Sequence, residues 1–416
     1  MKKKFQSVLF LGIGGVSMHQ LALAYKEKGY TVYGYDQKKS VYTKICENAG
    51  IEVTNRFRRE FLQVDFCVKT AAISDTNKYI INLKKLKCQI FDRAEILAKL
   101  CDEFKCVIAI AGTHGKSTTA SILYEILRTA NKKVSCHIGA EVFAPRFNCG
   151  DDYLVVEACE YNKSFLKLRP DISVVTNVEA EHLDTYKNFF NLRTAFLTFL
   201  KRGQKRFVFE SPNTKFLRRT KNVEFVSKTK LKIDPKIKGG YNLNNISLAI
   251  AVAQTIGIDE KTIIKAVNAF SGVPRRYEYL GQYKNTKIFI DYAHHPTELR
   301  SFIGAFSSEF NEYKIVFQPH TYSRTKLFLS EFISVLKDVK NLCIFKEYPA
   351  REKSTAGLSA RDLYQELKKY NHNVRYVASI KSLLNFLAIK GATAFVGAGD
   401  IDELAKKIMK SYSKNC

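Results

Sequence analysis

The chain lacks long hydrophobic runs. No uninterrupted apolar segment approaches the roughly 18 residues that a membrane-spanning helix requires, so we expect no membrane insertion. Residues 1–5 have neither the apolar core nor the cleavage site of a secretory signal. We therefore expect a cytoplasmic protein.

Paired cysteines and short repeats are absent as well. The chain has 10 cysteines but no C-x-x-C pair, and most of them lie within apolar runs. We predict that they are reduced, structural thiols. No short repeat or low-complexity segment is present.

Acidic residues are scarce relative to basic ones, with 40 Asp and Glu against 67 Lys and Arg, for a net charge of +27. Such a balance is also typical of nucleic-acid-binding proteins. However, the lysines are spread over the whole length, with no basic stripe interleaved with aromatics, no zinc-finger spacing and no basic helix leading into a heptad repeat. We interpret the charge as solvated lysine-rich faces and expect no nucleic-acid partner. A basic, nucleic-acid-binding ATPase is the alternative from another functional class.

The length of 416 residues, with 46% hydrophobic and 26% charged residues, indicates a globular protein with more than one hydrophobic core. We predict three domains, at residues 1–104, 105–273 and 274–416. Short apolar runs alternate with helical patterns, which is the order of a parallel α/β fold. The predicted strands are 7–11, 31–35, 66–70 and 89–91; then 106–111, 155–156, 173–176 and 207–209; then 287–291, 314–318, 342–346, 374–377 and 393–396.

A phosphate-binding pattern, AIAGTHGKSTT, occupies residues 109–119. It lies between a predicted buried strand and a helical run from Ser117 to Ala130. Two glycines allow the backbone to turn its N–H groups toward phosphate oxygens, and the positive end of the helix adds to the attraction. The strict Walker spacing requires glycine at position 110, where this chain has isoleucine. We predict that the loop binds ATP through Gly112, Thr113, His114, Gly115, Lys116, Ser117 and Thr118.

A second glycine turn, GIGGVS, starts at Gly12 after the first predicted strand, and Asp36 follows the next strand. Its geometry suits a nucleotide diphosphate. Ser17 stands where the third glycine of the dinucleotide fingerprint belongs, which weakens the case for NAD.

Acidic residues and a histidine follow two strands of the predicted central domain. Glu157 is a hard oxygen ligand suited to Mg²⁺, whereas His182 is unusual for that metal and is a candidate for a second metal site. Strand-end residues of these types are commonly solvated or capping groups. Two such clusters after a phosphate loop favour a functional role, because ligands gather beyond the carboxyl ends of parallel strands.

Together these residues carry a family resemblance. The chain resembles the Mur ligases, the ATP-dependent amino-acid ligases of peptidoglycan synthesis, in GTHGKSTT at 112–119, EACEY at 157–161 and EHLDTY at 181–186. The resemblance continues, in order, through YNLNN at 241–245, PRRYE at 274–278, DYAHHPTE at 291–298, QPHTYSRT at 318–325, AREK at 350–353 and GAGDI at 397–401. The later segments are most similar to the branch of the family that joins L-alanine to UDP-N-acetylmuramate.

The resemblance implies an N-terminal Rossmann-like domain for the UDP-sugar, a central P-loop ATPase domain with a mainly parallel sheet, and a C-terminal Rossmann-like domain for the amino acid. It implies ATP and Mg²⁺ as cofactors, and UDP-N-acetylmuramate and L-alanine as substrates. In the implied mechanism the muramate carboxylate is first phosphorylated by ATP, and the alanine amine then displaces phosphate. We expect a monomer or a weak homodimer.

The resemblance also implies roles for residues. Lys116 stabilises the transferred phosphoryl group, Ser117 and Glu157 hold one Mg²⁺, and His182 holds the second. Arg276 stabilises charge and completes the catalytic set of Lys116, Glu157, His182 and Arg276. The implied ligands of ATP outside the loop are Asn242, Asn245, Arg276 and Asp291; those of the amino acid are His295 and Arg324; those of the UDP-sugar are Gly12, Gly14, Gly15, Asp36 and Arg93.

Several alternatives stay open. A murein peptide ligase, which attaches a recycled peptide, is the nearest one, although the segment at 181–186 favours the alanine enzyme. A non-catalytic binding protein is a further alternative, against which the complete set of catalytic residue types argues. For Asn242 and Asn245 the competing role is helix capping. Tyr241 and Thr321 stand where many relatives have histidine and some have arginine, respectively, so neither is assigned a ligand.

Overall fold

The structure is a computed structural model that describes residues 7–139, 151–181, 183–237, 239–350, 352–387 and 390–413. Its described part is an α/β protein with three sheets, in which all strand pairs but one are parallel. The predicted fold class is therefore confirmed.

The first sheet has the strand order β3-β2-β1-β4-β5 and is parallel throughout. Four of its strands coincide with predicted ones, whereas β3 was not predicted. The elements are β1 (Ser7–Leu11), α1 (Val16–Glu27), β2 (Thr31–Tyr35), α2 (Val41–Asn48), β3 (Glu52–Thr54), β4 (Phe66–Lys69), α3 (Lys78–Lys85), β5 (Gln89–Asp92) and α4 (Arg93–Cys101).

The second sheet has the order β11-β10-β9-β6-β8-β7 and is also parallel. Its central strand β6 leads into the phosphate loop. The elements are β6 (Cys106–Ala111), α5 (Lys116–Thr129), β7 (Val134–His137), β8 (Tyr153–Glu157), β9 (Ile172–Val175), α6 (Leu183–Tyr186), α7 (Phe189–Arg202), β10 (Lys205–Phe209), β11 (Glu224–Val226), α8 (Gly240–Thr255) and α9 (Glu260–Ala269).

The third sheet has the order β12-β13-β17-β14-β15-β16, and its edge strand β12 is antiparallel to β13. The elements are β12 (Glu278–Tyr283), β13 (Thr286–Asp291), α10 (Pro296–Glu309), β14 (Tyr313–Phe317), α11 (Tyr322–Leu327), α12 (Leu329–Leu336), β15 (Leu342–Phe345), α13 (Ala360–Lys368), β16 (Arg375–Val377), α14 (Ile380–Leu387), β17 (Ala392–Val396) and α15 (Ile401–Ser413).

The chain divides into two compact units. The first comprises Met1–Pro235 with Leu243–Phe270, and the second comprises Lys236–Asn242 with Ser271–Cys416. Each of the three predicted domain ranges contains one sheet. The domain boundaries themselves stay a prediction.

A shared core explains why the first two sheets belong to one unit. Buried residues of the first sheet and its helices, such as Phe10 and Leu97, form one hydrophobic cluster with Val156 and Phe199 of the second. In the second unit, neighbouring residues of a strand point to opposite faces of the sheet. Phe289 packs in one cluster and Ile290 in another.

Two further expectations concern the whole chain. Within the described ranges, none of the helices combines the length and apolar character that a membrane crossing requires. The cysteines that the structure describes are free thiols, which agrees with the predicted reduced state. Cys149 and Cys416 lie outside the described residues.

Candidate active site

The phosphate loop depends on two glycines with positive φ. Gly112 has a φ of 148°, and a Cβ there would lie 1.9 Å from Thr176 Oγ1. Gly115 is the left-handed N-cap of α5, and a Cβ there would lie 2.3 Å from Asn245 Oδ1. Only glycine fits either position without displacing a neighbour. The first-turn N–H groups of α5 lack intrahelical acceptors, so the helix start is suited to an anion.

The end of β9 holds this loop in shape. The His114 N–H donates to Asn177 Oδ1 at 2.9 Å, and the Asn177 side-chain amide donates back to the His114 carbonyl oxygen at 2.9 Å. The Thr176 hydroxyl donates to the same carbonyl oxygen at 2.6 Å. Thr176 and Asn177 were not among the predicted site residues, although Thr176 ends a predicted strand and Asn177 follows it.

Lys116 is held by a buried carboxylate. Its Nζ donates to Glu160 Oε1 at 3.0 Å and to the Thr113 carbonyl oxygen at 3.0 Å. Burial by itself lowers the pKa of Lys116, but Glu160 and then Glu157 raise it above its ordinary value. The ammonium group therefore stays charged. Sequence reasoning missed Glu160, although it lies in the quoted segment EACEY.

Ser117 and Glu157 form a pair of oxygen donors at the start of α5. The Ser117 hydroxyl donates to Glu157 Oε2 at 2.8 Å, and the Gly139 N–H donates to the same oxygen at 2.8 Å. A hydroxyl beside a carboxylate fits the hard-ligand preference of Mg²⁺. The predicted second metal ligand, His182, lies outside the described residues.

The two asparagines of α8 are not helix caps. The helix begins at Gly240, five residues before its predicted start, so Asn242 and Asn245 both lie inside it. The capping alternative is therefore wrong for both. Asn245 is buried, and its amide lies beside Gly115 of the phosphate loop. Asn242 is buried as well and belongs to the second unit.

In the second unit, Asp291 lies at the end of β13 beside Arg276. The Tyr277 N–H donates to Asp291 Oδ2 at 2.8 Å, and the Ala293 N–H donates to Oδ1 at 2.7 Å. Burial raises the pKa of Asp291 to about 6, against the lowering effect of Arg276. The Arg276 guanidinium lies 3.5 Å from Glu298 Oε1, a partner that sequence reasoning missed.

Arg276 has an unusual backbone setting. Its neighbours Arg275 and Tyr277 both have positive φ, 62° and 52°. Because non-glycine residues adopt this conformation rarely, such positions commonly belong to functional sites. The Arg276 guanidinium also lies 5.0 Å from the centroid of the Tyr292 ring, within cation–π range.

The two predicted amino-acid ligands occupy neighbouring elements. His295 is the N-cap of α10, and its Nδ1 accepts the Thr297 N–H at 3.3 Å. Arg324 lies in α11, with its Nη1 3.0 Å from His320 Nδ1. The arginine is thus oriented by a neighbouring imidazole, which sequence reasoning did not predict. That His295 and Arg324 bind an amino acid stays a prediction.

The first glycine turn is closed by a carboxylate. The Gly14 N–H donates to Asp36 Oδ2 at 2.9 Å, and Gly12 has a φ of 84°. Arg93, from the start of α4, donates to Ser17 Oγ at 2.9 Å. Gly15 is the N-cap of α1. The predicted UDP-sugar residues therefore converge on one turn within the first unit.

Three family models match this chain in order. They are described as "Mur ligase family, catalytic domain" over residues 7–105, "Mur ligase middle domain" over 110–223 and "Mur ligase, glutamate ligase domain" over 275–400. Together they cover most of the chain, including the first and third sheets and most of the second.

Known proteins are similar over nearly the full length. A UDP-N-acetylmuramate--L-alanine ligase of Caldicellulosiruptor bescii is 34% identical, with 96% of this chain and 98% of the relative aligned. The crystal structure of the UDP-N-acetylmuramate-alanine ligase MurC from Thermotoga maritima matches with a TM-score of 0.84 at 22% identity, covering 99% of this chain and 100% of the other. A murein peptide ligase from Psychrobacter arcticus matches with a TM-score of 0.72 at 20% identity, covering 98% of both chains.

Proposed function

Since this chain belongs to the Mur ligase family, we propose that it joins L-alanine to the carboxylate of UDP-N-acetylmuramate, converting ATP to ADP and phosphate. The product enters peptidoglycan biosynthesis. Support comes from relatives that are named UDP-N-acetylmuramate--L-alanine ligase and that align over nearly their whole length.

The first step is phosphoryl transfer. A carboxylate oxygen of the muramate attacks the γ-phosphorus, the bond to the β,γ-bridging oxygen breaks, and ADP leaves with the electron pair. Negative charge spreads over the phosphoryl oxygens, so catalysis rests on positioning and on fixed positive charge. Lys116 supplies that charge at the start of α5, and its raised pKa keeps it protonated.

The second step is amide formation. The alanine amine attacks the acyl carbon, a tetrahedral intermediate forms, and phosphate leaves as the amine loses its proton. A guanidinium can take the alanine carboxylate in a bidentate manner, and Arg324 is our candidate for this role. We assign Arg276 to charge stabilisation, and Asn242, Asn245 and Asp291 to ATP binding.

Mg²⁺ would be held by Ser117 and Glu157, with His182 as the candidate ligand of a second ion. When bound, the metal neutralises charge on the phosphate oxygens. The single observation that carries this proposal is the arrangement at the start of α5. There a charged lysine lies beside Glu160, and the next residue pairs its hydroxyl with Glu157.

Phosphate release tests the proposal. We expect release from ATP and Mg²⁺ only when UDP-N-acetylmuramate and an amino acid are both present. L-Alanine should be preferred over glycine, which lacks its methyl group, by a margin limited to about 1–3 kcal/mol, and also over serine, which adds a hydroxyl. Preference for a tripeptide would select the murein peptide ligase. Phosphate release in the absence of any amino acid or peptide would overturn the ligase assignment. ATP hydrolysis stimulated by DNA or RNA and lost with salt would select the nucleic-acid-binding alternative.

We further propose that the enzyme acts in the cytoplasm as a monomer or weak homodimer, without a nucleic-acid partner. Sedimentation at micromolar and at tenfold higher concentrations measures the oligomeric state, and a stable higher oligomer would contradict the proposal.

A further inference from the structure

A buried histidine lies between the two glycine turns of the first unit. His137 is the last residue of β7 and is 3% exposed. Its Nε2 lies 2.7 Å from Ser17 Oγ, in the first turn of α1. The same serine oxygen accepts a hydrogen bond from Arg93 at 2.9 Å. Three elements thus meet at one hydroxyl group.

One hydrogen bond of this group has a fixed direction. The Arg93 guanidinium can only donate, so Ser17 Oγ accepts from it and shares a second hydrogen bond with His137 Nε2. Burial lowers the pKa of His137 to about 3, and Arg93 and His19 act in the same direction. The imidazole is therefore neutral at physiological pH, and its Nε2 is paired with the Ser17 hydroxyl.

The residues directly after His137 contact α1 and the candidate metal ligand Glu157. The Ile138 carbonyl oxygen accepts the side-chain amide of Gln20 in α1, at 2.7 Å. The Gly139 N–H donates to Glu157 Oε2, the oxygen that also accepts the Ser117 hydroxyl. Residues 137–139 therefore connect the turn assigned to the UDP-sugar with the oxygen pair assigned to Mg²⁺.

We propose that His137 is a positioning residue that couples the UDP-sugar site to the ATP site. It orients Ser17 and, through Ser17, Arg93, while the backbone that follows it holds Glu157. The inference rests on the proposed function for the identity of the two ligands. A UDP-sugar that engages Arg93 favours one arrangement of the 137–139 segment, and the same arrangement favours nucleotide binding at the phosphate loop. Such coupling is reciprocal, because each ligand changes the affinity for the other by the same factor.

The coupling between the two sites tests this role directly. Calorimetry measures the Kd of the β,γ-methylene analogue of ATP with Mg²⁺, without and with saturating UDP-N-acetylmuramate. The coupling ratio is the Kd without the sugar nucleotide divided by the Kd with it. For the wild-type chain we expect the sugar nucleotide to tighten analogue binding by about fivefold or more. In His137→Leu we expect the ratio to fall below about twofold while the Kd of the analogue alone stays within about twofold of wild type. If His137 had a merely structural role, the substitution would lower both the coupling ratio and the affinity for the analogue alone.

Three further variants keep the test decisive. Ser17→Ala removes the shared hydroxyl and should lower the coupling ratio as His137→Leu does. It replaces the leucine variant in the test if that variant does not fold. His137→Gln supplies an amide that can donate to Ser17 Oγ or accept from it, and should keep the ratio within about threefold of wild type. Ser135→Ala removes a partly buried hydrogen bond, to Asp151 at 2.7 Å, from the same strand and should leave the ratio unchanged.

The proposal is overturned if the wild-type ratio is near one, if His137→Leu or Ser17→Ala keeps the wild-type ratio, or if Ser135→Ala loses it. It is equally overturned if His137→Gln behaves like the leucine variant. Phosphate release by the wild-type chain with alanine separates this result from the proposed function. A wild-type chain that turns over but shows no coupling contradicts the inference alone.

Discussion

Two turns of the first unit have the same backbone plan and different side chains. Each follows a parallel strand, uses a glycine with positive φ and begins a helix. At the turn before α1, the nearby carboxylate of Asp36 takes the Gly14 N–H, and the helix opens with Val16 and Ser17. At the turn before α5, the helix opens with Lys116 and Ser117.

The side chains of the two turns distinguish a turn that can only bind phosphate from one that can also catalyse its transfer. Both turns can receive phosphate oxygens through backbone N–H groups at a helix start. Only the second turn adds a charged lysine and a hydroxyl paired with a carboxylate, which are the groups that phosphoryl transfer requires. We infer that a shared strand–turn–helix unit becomes catalytic through the first two residues of its helix and their acidic partners.

Loss of the lysine should have the largest effect. We expect Lys116→Ala to lower the rate of phosphate release by about 10³-fold or more, because no other group replaces its charge at the loop. Glu160 would then be buried without its cation, so stability should fall too. Lys116→Ala with Glu160→Gln should recover stability but not activity, and the exposed Lys105→Ala serves as the control. Near-normal turnover of Lys116→Ala would contradict the claim that the lysine makes the second turn catalytic.

Substitution of Glu157, in the pair of oxygen donors that it forms with Ser117, should have the second-largest effect. We expect Glu157→Gln to reduce the rate by about 10²-fold and to raise the Mg²⁺ concentration needed for half-maximal rate, since an amide lacks the charge of a metal-binding carboxylate. Titration with Mg²⁺ measures the shift. Ser117→Thr keeps the hydroxyl and should retain most activity, and Glu210→Gln is the exposed control. An unchanged Mg²⁺ requirement in Glu157→Gln would contradict the metal assignment.

Alanine substitution should distinguish the two turns by stability. Gly115→Ala places a Cβ 2.3 Å from Asn245 Oδ1 at a φ of +78°, so we expect a loss of about 1–2 kcal/mol in the free energy of unfolding. Gly15→Ala meets nothing closer than 3.6 Å at a φ of −79° and should cost less. Urea unfolding of the two variants makes the comparison. Equal losses would show that the left-handed N-cap is not a constraint.

The smallest effect should come from Asp36. Its Oδ2 accepts the Gly14 N–H, and a neutral acceptor makes a weaker bond than a charged one. We expect Asp36→Asn to raise the KM for UDP-N-acetylmuramate by about fivefold, with the KM for ATP unchanged. A change in the KM for ATP of the same size would mean that this turn does not belong to the sugar nucleotide alone.

Local sequence patterns predicted most strands and both glycine turns, because apolar runs and glycines act over a few residues. The patterns missed β3, β7 and β11, which have three or four residues each and lie at sheet edges. They also missed the antiparallel edge strand β12 and the true start of α8 at Gly240, where glycine and asparagine disfavour a helix in isolation.

The site shows the same limit. Lys116, Ser117 and Glu157 are candidates from the sequence because their residue types and spacing imply the chemistry, and their roles stay predictions. Their partners could not, because contacts between distant segments leave no local pattern. Glu160 and Asn177 hold the loop from 44 and 63 residues away in the chain, and His137 lies 120 residues from Ser17.

Transfer of an oxygen atom tests the central claim, that a carboxylate is activated by phosphorylation. UDP-N-acetylmuramate labelled with ¹⁸O in both carboxylate oxygens is turned over with ATP and alanine, and the released phosphate is analysed by mass spectrometry. We predict one ¹⁸O atom in each phosphate, because the acyl-phosphate bond breaks with its bridging oxygen leaving on phosphorus. Phosphate without label, released together with the amide product, would contradict the account.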